Sequence, residues 1–484
     1  MAIGSGNEVF LPAGLMTRHC LAVAATGAGK SNFLNLILKQ QMMRGGGVIH
    51  IDGKNSEEAI SQFLSLARQH DRWQDVRIIN IDNAKLSNTY NPLLRGDSEA
   101  LVNRVMLLLG GGGDAAFFRS QAGNALRAII GILAQMKMPF NFNDLQMIMT
   151  EEGALRHIMQ LAPKDTREYV DLRMFVEQIS TTDNRTGVKK IDERKRQFAF
   201  GDLLGKISSY GSGAEMRDVL NPYNPEVDVL EAMRENQLVY VGLPTLNKTE
   251  AAIDFAKIFL SDVITAVGQL QNVAAFEKPS PPFLVLMDEF SSYAMPSLDK
   301  LFEQARSANI CLFPLVQTMS SLSDKQRGLS EDFKDKILGN TWTKVVFKLN
   351  DSTSREEMSK LAGEALKEIK SVSYGESLSF ASGDGGPEAS RVATGGRGRS
   401  TSTSVSMQYD MVVRPEEFGD LDQGEGVLIA KEGVFKMRVP EVVMKNDNEG
   451  IDFPKFRMPV RQGLDLASKY HTFGGGVATN KDRE

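Results

Sequence analysis

Two short runs, far apart in the chain, restrict its fold more than any other feature. The first is Ala24-Ala25-Thr26-Gly27-Ala28-Gly29-Lys30-Ser31. It follows an apolar run, Cys20 to Ala25, and precedes a helix-like stretch, Asn32 to Met43. That is the strand–loop–helix context of a phosphate-binding loop. Small residues let backbone N–H groups converge on phosphate oxygens, and the helix turns its positive dipole end toward the anion. Lys30 is placed to reach the β- and γ-phosphates, and Ser31 to ligate Mg²⁺. The second run, Phe283-Leu284-Val285-Leu286-Met287-Asp288-Glu289, reads as a buried strand ending in two carboxylates, suited to holding a metal and polarising a water. Alone it is as readily a solvated strand end. Together the two runs imply nucleoside triphosphate hydrolysis at the carboxyl edge of a parallel α/β sheet. The first run departs from the strict pattern at Ala24, where Gly is usual.

A chain of 484 residues has room for about two to four domains. With 42% hydrophobic and 24% charged residues it can bury a large core. A net charge of −5 carries no global nucleic-acid signature, so any DNA contact has to be local, in a ring channel or a small patch. Cys20 and Cys311 are the only cysteines, both in apolar runs, and read as reduced core residues in a cytosolic setting. No apolar stretch approaches the ~18 residues of a membrane helix, and the first residues lack the basic and apolar regions of a signal peptide.

The first hundred or so residues alternate strand and helix: Cys20–Ala25, helix 31–43, Val48–Asp52, helix 56–69 and Val76–Ile81. After Asn91-Pro92-Leu93 the strand signal fades. Amphipathic patterns follow at Ala100–Leu109, Phe117–Met136, Asp144–Met149 and Gly153–Leu161, with a glycine hinge at Gly110–Gly113 and a polar connector at Thr182–Gln197. This stretch reads as an all-helical insertion whose methionines (Met136, Met138, Met147, Met149) fill its core. The α/β pattern resumes at Gln237–Leu243 and helix 250–269. Phe283–Met287, helix 297–307, Ile310–Val316, helix 331–338, Trp342–Leu349 and helix 353–366 follow. Residues 371–403 shift to Gly, Ser, Thr and Arg and read as a mobile loop in a hairpin, Val372–Phe380 with Ser400–Met407. Arg391, Arg397 and Arg399 there read first as solvated loop residues and second as nucleic-acid contacts. A closing hairpin joins Gly424–Ile429 to Val434–Val439, and the tail beyond Asn446 has little pattern.

Arg306 ends a helix and Gln317 closes the following strand. A glutamine there can bond the γ-phosphate or the attacking water, or it can be a polar residue that merely ends a strand. On spacing alone Arg306 reads first as a helix-end residue satisfying carbonyls. A guanidinium at that end is also able to reach the nucleotide of a neighbour in a ring and steady the phosphoryl transition state.

In order along the chain, Thr26–Ser31, Ile51-Asp52-Gly53-Lys54, Asn91-Pro92-Leu93, Val241-Gly242-Leu243-Pro244, Met287-Asp288-Glu289-Phe290, Ala305-Arg306-Ser307-Ala308-Asn309-Ile310, Gln317-Thr318 and Val413-Arg414-Pro415-Glu416-Glu417-Phe418 form a specific series. The series resembles the coupling proteins of type IV secretion and conjugation systems, which are RecA-like ring ATPases, and the match spans most of residues 15–445. The resemblance implies a RecA-like P-loop domain in two parts, residues 1–99 and 218–450. An all-α domain for substrate or adaptor is inserted at 100–217, and a tail occupies 451–484. It implies that Thr26, Gly27, Ala28, Gly29, Lys30 and Ser31 bind ATP, and that Ser31 and Asp288 hold Mg²⁺. Glu289, Arg306 and Gln317 act in catalysis, with Arg306 in trans. The implied partners are DNA held without sequence preference in the pore of a homo-hexamer, a relaxosome or secreted protein, and channel components. Many members begin with membrane helices, so at the cytoplasmic face of the inner membrane an anchor is expected from a partner or from a segment removed. The runner-up readings are a DNA translocase of the chromosome-partition or end-processing kind and a nucleotide-gated receptor with little turnover.

Overall fold

Apolar runs with nothing to gain from water pair side by side into one nine-stranded sheet. Its strands are β1 (Cys20–Val23), β2 (Val48–Asp52), β3 (Val76–Asn80), β4 (Leu238–Gly242), β5 (Phe283–Met287), β6 (Ile310–Val316), β7 (Thr343–Val346), β8 (Glu425–Ala430) and β9 (Gly433–Arg438). They lie in the order β9-β8-β7-β1-β6-β5-β2-β4-β3. The seven strands from β7 to β3 are mutually parallel, and β8 and β9 close one edge antiparallel. The structure, a computed structural model, describes residues 3–5, 8–10, 12–109, 115–184, 187–212, 214–246, 249–379, 396–444 and 452–470.

Every residue of β1, β2, β4, β5 and β6 is buried, as expected when helices cover both faces of a parallel sheet. Alternate residues feed two cores. Leu21, Val23, Ile49, Ile51, Val285 and Met287 join one, and Cys20, Ala22, Val48, Leu284, Leu286 and Phe313 the other. Each such aliphatic side chain stabilises the fold by ~1.5–3 kcal/mol on burial. Cys20 and Cys311 are both buried and free.

The helices begin where the sequence supplies caps. Ser56 accepts a hydrogen bond from Ala59 N–H (3.1 Å), with Glu57 and Glu58 in the first turn complementing the dipole of helix Glu57–Gln69. Helix Lys30–Met43 turns Phe33, Leu34, Leu38 and Met42 inward. Its buried Gln41 donates to the carbonyls of Gly47 (2.8 Å) and Pro282 (2.9 Å), fixing the entries to β2 and β5.

Between β3 and β4 the chain leaves the sheet and runs through helices Ser98–Met106, Ala115–Met136, Phe142–Thr150, Glu152–Leu161, Arg167–Gln178, Glu193–Ser212 and Ala214–Leu220. The outgoing and returning segments touch at a neck, where Tyr90 and Val227 form a parallel bridge. Within the insertion Met147 and Met149 are buried, and Met136 and Met138 are packed against the core.

Several expectations are corrected. The insertion is not wholly helical: Ser180–Thr182 pairs antiparallel with Lys189–Ile191 inside the presumed connector, turning through Gly187 at φ 67°. Helix 353–366 stops at Ala362, because Gly363 at φ 81° ends it and Glu364 already begins a strand. The hairpin is therefore longer, Glu364–Ser379 with Gly396–Met411. Helix 297–307 divides into Leu298–Gln304 and a 3-10 turn, Ala305–Ala308, closed by left-handed Asn309. Strand 342–349 shortens to β7. The Gly110–Gly113 run, residues 380–395 with Arg391, and the side chains of Arg397 and Arg399 lie outside the described residues.

The tail has order without pattern. Residues 452–465 run past the neck, held by Asn88 to Pro454 (2.9 Å), Phe456 to Glu226 (2.7 Å) and Asn224 to Pro459 (2.7 Å). Helix Leu466–Tyr470 then packs on helices Phe142–Thr150 and Glu152–Leu161 of the insertion, with Leu466 N–H donating to Asp144 (2.8 Å).

Candidate functional site

At the carboxyl end of β1 the chain turns sharply from strand to helix. Ala24 is buried, is not among the residues of positive φ, and donates its N–H to Val316 (3.0 Å), so it prolongs the ladder. The methyl group where Gly is usual is therefore accommodated without strain. Gly27 (φ 80°) and Gly29 (φ 98°) make the left-handed turn, and Gly29 precedes the helix that begins at Lys30. A Cβ on Gly29 would stand 2.8 Å from the backbone nitrogen of Gly424, whose N–H donates to Ala28 (3.0 Å). The phosphate loop thus rests directly on the entry to the closing hairpin. Thr26 and Ser31 are exposed at its mouth.

The acid pair comes from β5. Strand β6 lies between β1 and β5, so the loop and the acids are two strand spacings apart and the end of β6 falls between them. Lys30 spans the gap: its Nζ lies 2.6 Å from Asp288 Oδ1 and 3.0 Å from Glu289 Oε1. Gln317, one residue past β6, donates Nε2 to both Glu289 oxygens at 2.9 Å. Glu289 itself is left-handed (φ 52°), and its N–H bonds Asp288 Oδ1 at 2.8 Å. A Cβ on Gly53 would come within 2.8 Å of Glu289 Cβ, so only glycine lets β2 end so close to the acids. Burial alone would lower the Lys30 ammonium, but the charges and hydrogen bonds of Asp288 and Glu289 outweigh it and hold the group above its ordinary range.

Two further cations border this cluster. Lys54 Nζ approaches Glu289 Oε1 to 3.9 Å while over half exposed (57%). It is aimed by Asp52, which accepts the N–H groups of Lys54 (3.0 Å) and Ser56 (3.2 Å) and the hydroxyl of Tyr240 (2.5 Å). Arg438, at the end of β9, lines the same open pocket of about 920 Å³, which runs from the phosphate loop to residues 439–444. In the sequence Lys54 stands in the run Ile51-Asp52-Gly53-Lys54 with no role evident, and the only signal for Arg438 is its place at the end of the last strand.

Of the expected site residues, the structure brings together the loop 26–31, Asp288, Glu289 and Gln317. Arg306 is elsewhere. It precedes β6, at the opposite edge of the sheet from Gln317, and its side chain is exposed with no hydrogen bond or ion pair among the described residues. Nearby His19 is buried, accepts Leu312 N–H at Nδ1 (3.1 Å), and is pushed down to about 4, by burial above all.

Residues 282–423 match the model of the TraM recognition site of TraD and TraG, and residues 3–91 match that of the central domain of helicase HerA. The chain is 24% identical over 407 residues to the type 4 coupling protein DotL of Legionella pneumophila, covering 75% of this chain and 51% of that protein. The plasmid coupling protein TrwB in complex with the GTP analogue GDPNP superimposes with a TM-score of 0.62 at 14% identity, over 94% of each chain. TrwB with ADP and Mg²⁺ gives 0.58 at 15% identity, over 92% of this chain and 89% of that one. The chain is similar in sequence and in fold to type IV coupling proteins. Its fold is the RecA-like P-loop fold of TrwB, with β6 between the strands that carry the loop and the acids. The chain spans about half the length of DotL. No helix among its described residues is long and apolar enough to cross a membrane.

Proposed function

We propose that this chain is the motor of an ATP-driven coupling protein that recruits DNA, a nucleoprotein or a protein substrate and moves it into a type IV secretion channel. The observation that carries the reading is the four-residue cluster in which Lys30 bridges Asp288 and Glu289 while Gln317 holds Glu289. The helix N-terminus at Lys30 and the N–H groups of residues 27–31 suit a triphosphate. Among the described residues no three His, Cys, Asp or Glu side chains form a metal cluster. One hydroxyl, one carboxylate and phosphate oxygens, the other ligands being water, are what Mg²⁺ takes. Ser31 and Asp288 would hold it, and when bound it neutralises phosphate charge.

Lys30 is engaged by the acids, so a bound phosphate has to draw it away. That releases Glu289 to accept a proton from the attacking water. Gln317, bonded to the same carboxylate, exchanges partners in that step and carries the change along β6. The other end of β6 follows Arg306, whose free guanidinium we assign to the neighbouring subunit's nucleotide in a homo-hexamer. Residues 1–99 and 218–450 form the motor in this reading, 100–217 the face toward substrate or adaptor, and 451–484 the tail. DNA passes the ring pore without sequence readout, and the assembly works at the cytoplasmic face of the inner membrane. The match of residues 3–91 to the HerA domain favours a second reading, a DNA translocase with the same motor and another client. ATP turnover measured with and without DNA across protein concentration tests the motor. Turnover that is absent under every condition would leave only a nucleotide-gated receptor.

A further inference from the structure

The phosphate chemistry uses only one end of the 920 Å³ pocket. The other end is walled by a strap, residues 438–444, that leaves β9 and crosses the first turn of helix Lys30–Met43. The strap starts against the phosphate loop, since Val439 N–H donates to Gly424 (2.8 Å) and Gly424 N–H to Ala28 (3.0 Å). It is then clipped to the helix by one side chain. Asn32 donates Nδ2 to Pro440 (2.9 Å) and accepts Val442 N–H at Oδ1 (2.9 Å). Beyond the clip Val442 and Met444 are half-buried against the core, alternating with Val443, which is 71% exposed. Across the pocket Asn35 donates to Gln62 (2.8 Å), joining helices Lys30–Met43 and Glu57–Gln69 by an amide pair. An apolar wall facing amides, one helical turn from a phosphate loop, has the shape and chemistry of a seat for a flat heterocycle bearing polar edges.

Resting on the nucleotide reading above, we propose that the strap 438–444 forms the nucleobase and ribose seat of the site. Val442 and Met444 lie against the base, Asn35 and Gln62 face its polar edge, and Arg438 stands at the phosphate end. Arg438 is exposed and has no ion pair among the described residues, so its guanidinium is available to an anion. The strap therefore reads the two halves of a nucleotide with different residues, and the two can be separated.

The experiment compares binding of ATP and of inorganic tripolyphosphate, each with Mg²⁺, to the full chain and its variants. The parent should bind ATP more tightly than tripolyphosphate. Val442→Asp should weaken ATP by about 10-fold or more and leave tripolyphosphate unchanged. Met444→Ala, a milder change, should move ATP in the same direction by about threefold and keeps the test readable if Val442→Asp does not fold. Arg438→Ala should weaken both ligands by a common factor. Amide exchange over 439–444 should slow with ATP and not with tripolyphosphate. Equal affinity of the parent for the two ligands, or strap variants that leave ATP binding intact, would overturn the seat while the phosphate site stands. If the parent binds neither ligand, the nucleotide reading falls and the seat with it.

Discussion

Replacing Glu289 by Gln should tighten nucleotide binding slightly while stopping turnover, and both effects follow from the geometry of the cluster. Lys30 gives one charge-assisted hydrogen bond to Asp288 (2.6 Å) and one to Glu289 (3.0 Å). A bonded charged group of this kind is worth ~1.5–3 kcal/mol when fully buried. Here the side chains are 12% and 15% exposed and line an open pocket, and a glutamine oxygen still accepts from Lys30. About 1 kcal/mol of competition for the ammonium is then removed, which converts to about fivefold tighter binding. Loss of negative charge beside the γ-phosphate acts in the same direction. The amide cannot accept a proton from water, so turnover should fall by about 10²–10⁴-fold. Calorimetry with a non-hydrolysable ATP analogue reads the first effect, and steady-state phosphate release reads the second. Turnover equal to the parent would remove Glu289 from the chemistry. Weaker binding would mean that Glu289 helps to hold the nucleotide instead of competing for Lys30.

Arg306→Ala should bind ATP normally and hydrolyse it about 10³-fold more slowly. Mixing it with Lys30→Ala should restore part of the activity, and an Arg306→Ala protein as active as the parent would return Arg306 to a helix-end role. DNA affinity should fall steeply with salt and vary little with sequence, because phosphate contacts dominate such binding; a salt-independent affinity would contradict backbone tracking. Asp144 is pushed up from 3.8 to about 6, mainly by burial and against hydrogen bonds from Leu466, Tyr223 and Asn141. The folded protein thus holds this proton more tightly than the unfolded one, and up to ~3 kcal/mol of stability present below the unfolded value is lost as pH rises through about 6. Asp144→Asn should remove that share of the difference in Tm between about pH 4 and pH 7, and an unchanged difference would show that Asp144 does not set it.

What the sequence made legible follows the range of the interactions involved. Val48–Asp52, Phe283–Met287 and Ile310–Val316 match their expected bounds because short, mostly apolar runs entered from Gly, Pro or Asn favour strands buried on both faces. The loop 26–31 and the acids were legible because phosphate and metal chemistry fixes both residue types and spacing. The interposed strand β6 was not, since strand order is decided by packing between segments far apart in the chain. It matters for function, because it sets Gln317 between the loop and the acids and leaves Arg306 at the other edge. The neck was legible only as the words Asn91-Pro92-Leu93. In the fold, Asn91 donates to Phe140 (3.0 Å) and Pro222 (3.1 Å). Just beyond it, fully buried Arg104 bonds the carbonyls of Pro92 and Arg95 and pairs with Asp262 (2.9 Å), which also accepts the Tyr90 hydroxyl (2.7 Å). Burial raises the Asp262 carboxyl despite the guanidinium, so the group remains costly unless Arg104 and Tyr90 both stay in place. An arginine with no water to fall back on makes the junction of sheet and insertion a fixed joint. In the motor proposed above, force generated at the acids would pass through helix Thr249–Gln271, which carries Asp262, to the inserted helices.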